Sequence, residues 1–181
     1  MKAGEHDIGD LCLHCGMCCD GSLFDFVPVT PDETGAVETA GFALSDCETG
    51  KGCAQPCQAL SGTACTAYHK VRPRTCGTFF CPTANAVIAG DVPLDDARGR
   101  IAKARSLQAQ VAAYLTDGET LSGARRRWFG LDRQSIAGDD ARFAVLMAAL
   151  TRYLDQHFRY DFQVVMPLAG ASAEADAPDP G

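Results

Sequence analysis

The segment Cys12-Leu13-His14-Cys15-Gly16-Met17-Cys18-Cys19 places four thiols within eight residues, a density that an ordinary apolar core does not require. It constrains the local backbone more than any periodicity in the chain. A second series follows as Cys57, Cys65, Cys76 and Cys81, with Cys47 and Cys53 between the two series, for ten cysteines in 181 residues. Cys12, Cys15 and Cys18 are each separated by two residues, the spacing with which a curled backbone turns several sulfurs toward one point in zinc knuckles and iron–sulfur loops. Cys18 and Cys19 break that pattern. Neighbouring side chains leave the backbone in divergent directions, about 100° apart in a helix and opposite in a strand. One of the pair is therefore expected to serve a second ion, to bridge two ions, or to stay available for redox work. Eight cysteines suit two four-thiolate sites or a single polynuclear one.

Whether such thiols pair as disulfides or bind metal depends on compartment. Met1 to Asp10 reads MKAGEHDIGD, with three acidic residues and none of the apolar run of a secretory leader. No stretch reaches the roughly 18 to 20 uninterrupted apolar residues of a membrane span. The expectation is a cytoplasmic chain with no membrane attachment, where thiols are kept reduced and clustered cysteines serve metal or redox chemistry. A formal charge of -7 argues against nucleic acid as a partner, because backbone phosphates repel an acidic surface.

The expected fold is α+β: a small irregular cysteine-rich metal-binding module over residues 1–92, then a mainly helical region over 93–167 packed on it. A disordered tail is expected over 168–181. Ser22 to Thr30 alternates apolar and polar residues as a short strand would, with Pro28 placing it at a sheet edge. Thr30-Pro31-Asp32-Glu33 has the cap, proline and acid of a helix start. Residues 45–66 show no sustained period, so their order is expected to come from bound metal more than from packing. Beyond Cys81-Pro82 there are no further cysteines. Apolar residues at three- and four-residue spacing then predict helices over 94–116 and 139–158, and a weaker one over 120–129. Tyr160 to Met166 reads as a last strand.

The pattern Cys-x2-Cys-x2-Cys-Cys, then Cys57-Gln58-Ala59-Leu60, then Cys65-x2-Tyr68-x3-Arg72-Pro73-x2-Cys76-x2-Phe79-x-Cys81, resembles the YkgJ-type cysteine-cluster family of zinc- or iron-chelating proteins. The resemblance implies that Cys12, Cys15, Cys18, Cys19, Cys57, Cys65, Cys76 and Cys81 are the metal-site positions, with Cys47 and Cys53 outside the pattern. It implies iron, held for instance as a 4Fe–4S cluster, or zinc. The family includes flagellin lysine methylases, in which a similar cysteine domain is thought to carry an iron–sulfur cluster. This chain is shorter and has no such substrate domain, so that activity is not carried over.

Three functions fit this reading. One is an iron-containing redox or accessory module, a view to which Cys81-Pro82 adds weakly, since Cys-Pro also closes the bacterial ferredoxin run. Another is a zinc-stapled module whose helical half recruits a protein partner, and the third is a thiol–disulfide redox protein. No paired carboxylates, nucleophile–base pair or phosphate loop is evident, so no catalytic residue is named. Lys70, Arg72 and Arg74 are positioned to offset thiolate charge. His14 and His69 could substitute for cysteine as ligands, but the thiols suffice. Tyr68 and Phe79 are read as packing around the site, Arg125 to Trp128 as a solvated helix face, and His157 as a core or interface residue.

Overall fold

Two long helices frame the molecule. The computed structural model describes residues 3–47, 50–132 and 134–161, and in it α5 (Leu94–Ala112) packs against α7 (Gly138–His157). Asp95 and Asp96 begin one helix and Asp139 and Asp140 the other, so both N-termini carry the negative charge that complements the helix dipole. Ala97, Ile101, Ala104, Leu107 and Val111 from α5 share one core with Phe143, Met147, Leu150 and Leu154 from α7. Between these helices, α6 (Leu121–Phe129) adds Ala124 and Trp128 to that core. Its first turn is capped by Thr120, whose hydroxyl accepts the Gly123 amide at 3.1 Å.

The cysteine-rich half enters the same core. Here α1 (Ala3–Cys15) contributes Ile8 and Leu11, and Met17, in the turn that follows, is completely buried. The Cys12-x2-Cys15 pair thus lies on the last turn of a helix, where a curled loop was expected. Against α1 packs α4 (Pro82–Ala89), which opens on a proline at its first turn and ends on Gly90 in the left-handed region at φ 82°.

Three short strands, β1 (Phe26–Val29), β2 (Ser45–Cys47) and β3 (Gly50–Ala54), form an antiparallel sheet in the order β1-β3-β2. Val27 stands opposite Cys53 and Pro28 opposite Gly52. Pro28 lies on an edge strand, and its carbonyl accepts the hydroxyl of Thr75 at 3.2 Å from α3 (Thr75–Thr78). A two-stranded ribbon, β4 (Leu60–Ser61) with β5 (Ala64–Cys65), turns through Gly62 at φ 61°. A second core joins Val27, Val29, Cys53 and Ala67 to Val37 of α2 (Thr34–Thr39) and to Phe42.

Some expectations are corrected. Residues 45–66, which show no sustained period, contain two antiparallel strand pairs, β2 with β3 and β4 with β5, whose backbone pairing needs no strong side-chain period. Thr30 to Glu33 is a turn in which the Glu33 carboxylate accepts the Thr30 amide at 2.9 Å, and the helix starts only at Thr34. The first long helix stops at Ala112, short of residue 116. Tyr160 and Asp161 are not in a strand; the rest of that expected strand and the tail over 168–181 lie outside the described residues.

Candidate metal centre

The fold sorts the eight cysteines by element. Cys12 and Cys15 close α1, Cys18 follows in the turn, and Cys81 is the N-cap of α4, the helix packed on α1. Cys15, Cys18 and Cys81 all lie against the helical core. Cys57, Cys65 and Cys76 instead lie against the sheet core, and Cys19 is tied to them by its carbonyl, which accepts the Cys57 amide at 2.7 Å. The vicinal pair is therefore divided between two neighbourhoods.

Apart from the influence of Cys19 on the adjacent Cys18, the electrostatics of the thiols follow the same division. Burial first, then the neighbouring Cys81 thiol, pushes Cys12 up to about 11. Burial raises Cys15 to about 12, with Cys81 and Cys12 adding to it. Cys18 is raised well above the thiol range by burial and then by Cys81, Cys15, Cys19 and Cys12. In the other neighbourhood burial lifts Cys19 to about 12, and the contributors after it are Cys57, Cys76 and Cys65. Burial likewise lifts Cys76 to about 12, followed by Cys57. Thiols raised in this way, Cys12, Cys15, Cys18, Cys19 and Cys76 among them, do not ionise together near neutrality unless a cation joins them.

Some groups favour the thiolates. The Cys81 sulfur accepts the Ala84 amide at 3.4 Å and the Cys57 sulfur accepts the Ala59 amide at 3.4 Å, the kind of outer bond that orients a thiolate ligand. The Arg72 guanidinium draws both Cys12 and Cys76 downward, against their burial. Arg74 is spent elsewhere, paired with Asp32 at 2.8 Å. Among the described residues no three His, Cys, Asp or Glu side chains close on one ion-sized point. The donor chemistry nonetheless fits zinc or an iron–sulfur cluster. Cys12, Cys15, Cys18 and Cys81 would hold one site, and Cys19, Cys57, Cys65 and Cys76 the other.

The helical half holds the first thiol segment in place. From α5, Arg105 donates to the Cys15 carbonyl and to the Asp20 carboxylate at 3.1 Å, and Gln108 donates to Asp20 at 3.0 Å. Burial raises Asp20 above its ordinary range, opposed by its bonds to Ser22 and by Arg105. Arg125 of α6 donates to the Ser22 carbonyl at 2.9 Å and pairs with Asp25 at 2.6 Å. Arg159, just beyond α7, donates to the Ser22 and Leu23 carbonyls. Residues 20–25, directly after the vicinal cysteines, are thus held from three helical elements.

This bracing corrects the solvated-face reading of Arg125 to Trp128. Arg125 and Trp128 are buried, and Arg127 pairs with Glu119 at 2.8 Å while lying 3.8 Å above the Phe143 ring; of the three arginines Arg126 alone is largely exposed. Nothing in the local pattern signals this, because Asp25, Arg125's partner, lies a hundred positions away. His14 is exposed and bonds to the Asp10 carbonyl at 2.8 Å. His69 lies exposed, edge-on to Tyr68. His157 is half-buried and packs on Tyr153. Phe79 packs edge-on against Phe24 at 5.1 Å. Cys53 is buried in the sheet core beside Cys57; its four-residue spacing from Cys57 was the available signal. Cys47 sits on β2, its sulfur 3.2 Å from where a Cβ on Gly52 would lie.

No protein-family model matches the chain, and no curated protein or solved structure matches it. No helix among the described residues is long and apolar enough to cross a membrane.

Proposed function

We propose that this chain is a cytoplasmic metal-binding protein of the YkgJ type, with iron ahead of zinc, in a redox or accessory role. The single observation that carries the reading is the division of Cys18 from Cys19. Cys18 lies against the helical core with Cys15 and Cys81, and Cys19 is bonded through its carbonyl to Cys57, whose side chain lies against the sheet core with Cys65 and Cys76, a separation compatible with two four-thiolate sites. When bound, an iron–sulfur cluster would supply one-electron chemistry and a zinc ion would supply folding energy. The chain's own contribution is to bring the cysteines into two neighbourhoods, to donate amides to the Cys57 and Cys81 sulfurs, and to place Arg72 where it acts on both Cys12 and Cys76.

The test is metal and acid-labile sulfide content of anaerobically purified protein, read beside visible absorption. Iron with matching sulfide supports the reading. Zinc without sulfide moves the function to a zinc-stapled module that recruits a protein partner, and folded protein without metal overturns it in favour of thiol redox chemistry.

A further inference from the structure

We propose that Tyr68 and Arg72 form a positioning strut that couples the two thiol groups, so that metal at one raises the affinity of the other. The inference rests on the metal-binding reading above. Tyr68 stands in the turn after Cys65, its amide donating to the Cys65 carbonyl at 3.2 Å, so its backbone moves with the second group. Its hydroxyl reaches α1 at Gly9, where a Cβ would lie only 2.9 Å from the oxygen. Gly9 precedes Cys12 by three residues, on the same side of the helix. Glycine leaves the notch that admits the ring tip.

The Arg72 guanidinium lies over the Tyr68 ring, 4.4 Å from its centroid, and its Nη2 is 4.0 Å from a Cβ placed on Gly77, the neighbour of Cys76. The buried Pro73 holds Arg72 in extended backbone. The stack therefore runs from the Cys12 turn of α1 to the Cys76 turn of α3. Two effects follow. Ordering the Cys65 turn fixes Tyr68, which fixes the end of α1 before the first group is filled, so the second binding step pays less ordering entropy. Two filled four-thiolate sites also repel one another, and a guanidinium between them offsets that repulsion.

The experiment is anaerobic titration of metal-stripped, full-length protein with Zn²⁺, counting bound ions by native mass spectrometry. Independent equal sites leave about half the molecules with one ion at half-saturation, and a coupling of about fivefold cuts that to about a third. The wild type is expected at or below a third. Arg72→Gln should return it to about half with two ions still bound at saturation, and Arg72→Lys, which keeps the charge without the planar stack, should fall between. Gly9→Ala, which displaces the ring and leaves both strut residues in place, should also move toward half. A wild type already at half, or a distribution unchanged in all three variants, overturns the coupling and leaves the metal reading standing. Failure of wild-type protein to bind Zn²⁺ at all overturns both.

Discussion

Asp155→Ala is the sharpest test of the bracing between the two halves. The Arg159 side chain is 1% exposed and Asp155 9% exposed, with 2.6 Å between guanidinium and carboxylate. Removing the carboxylate leaves a buried guanidinium bonded to the carbonyls of Ser22 and Leu23. Stripping one partner from a buried pair costs about 3–5 kcal/mol, and the surviving carbonyl acceptors place this case near 3 kcal/mol, at about the lower end. For a chain of this size that lowers the melting temperature by about 6–12 °C. Urea unfolding followed by far-ultraviolet circular dichroism should show the midpoint falling with an unchanged slope. The double variant Asp155→Leu with Arg159→Met should recover most of the loss, because neither charge then remains buried. Arg98→Ala, which breaks the exposed pair with Asp95, should leave the midpoint in place. An Asp155→Ala shift below about 1 kcal/mol, or a double variant as weak as the single one, would refute the claim that this pair anchors residues 22–23.

Cys18→Ser and Cys19→Ser should each lose metal from a different group, so that the double variant loses both; equal loss of the same ion in both single variants, counted by native mass spectrometry, would mean that the groups are not separate. Cys15→Ser and Cys76→Ser should likewise lower metal content and loosen the N-terminal half, seen as a lower melting temperature. Glu119 is held at about 2 by its bonds to Arg127, against an ordinary 4.5. The folded carboxyl therefore binds its proton less readily than the unfolded one, and the stability it contributes is present above pH 4.5 and lost as pH falls toward 2. Glu119→Gln should flatten that acid limb in a series of unfolding midpoints, and an identical pH profile would remove the pair from the account. Zinc binding to stripped protein should release protons, about four per site near neutrality, because thiols such as Cys15 and Cys19 sit at about 12; calorimetry in buffers of different ionisation enthalpy reads the number directly.

The long helices were legible because Ala97, Ile101, Ala104 and Leu107, like Phe143, Met147, Leu150 and Leu154, repeat with the helical turn and are buried. The edge position of β1 was legible from Pro28 alone. The helix α1 was not, since in its described part only Ile8 and Leu11 enter the core, and two apolar residues make no period. The strand Gly50–Ala54 was hidden for a different reason. Its sequence, GKGCA, has no β-branched or aromatic residue and is held as the central strand by neighbours on both sides. At the candidate site, sequence spacing singled out Cys12, Cys15 and Cys18 and the problem posed by the vicinal pair, while the set of eight came from the family resemblance. Which neighbourhood each cysteine joins depends on the packing of α1 against α4 and on the Cys19–Cys57 backbone bond, contacts across long chain separations that no local pattern encodes.

The Thr75–Pro28 bond bears on how the folded chain meets copies of itself. In the antiparallel pairing of β1 with β3, Asp25 presents its carbonyl inward to the Gln55 amide, so the alternate positions Phe26 and Pro28 present their backbone groups outward. Pro28 has no amide to offer, and its carbonyl is already taken by Thr75. A second strand arriving at this margin would find Phe26 as its one remaining backbone anchor, too little to build a ladder. Copies of the chain are thus denied the main-chain template along β1 from which intermolecular sheets grow, and association at that margin must use side chains instead.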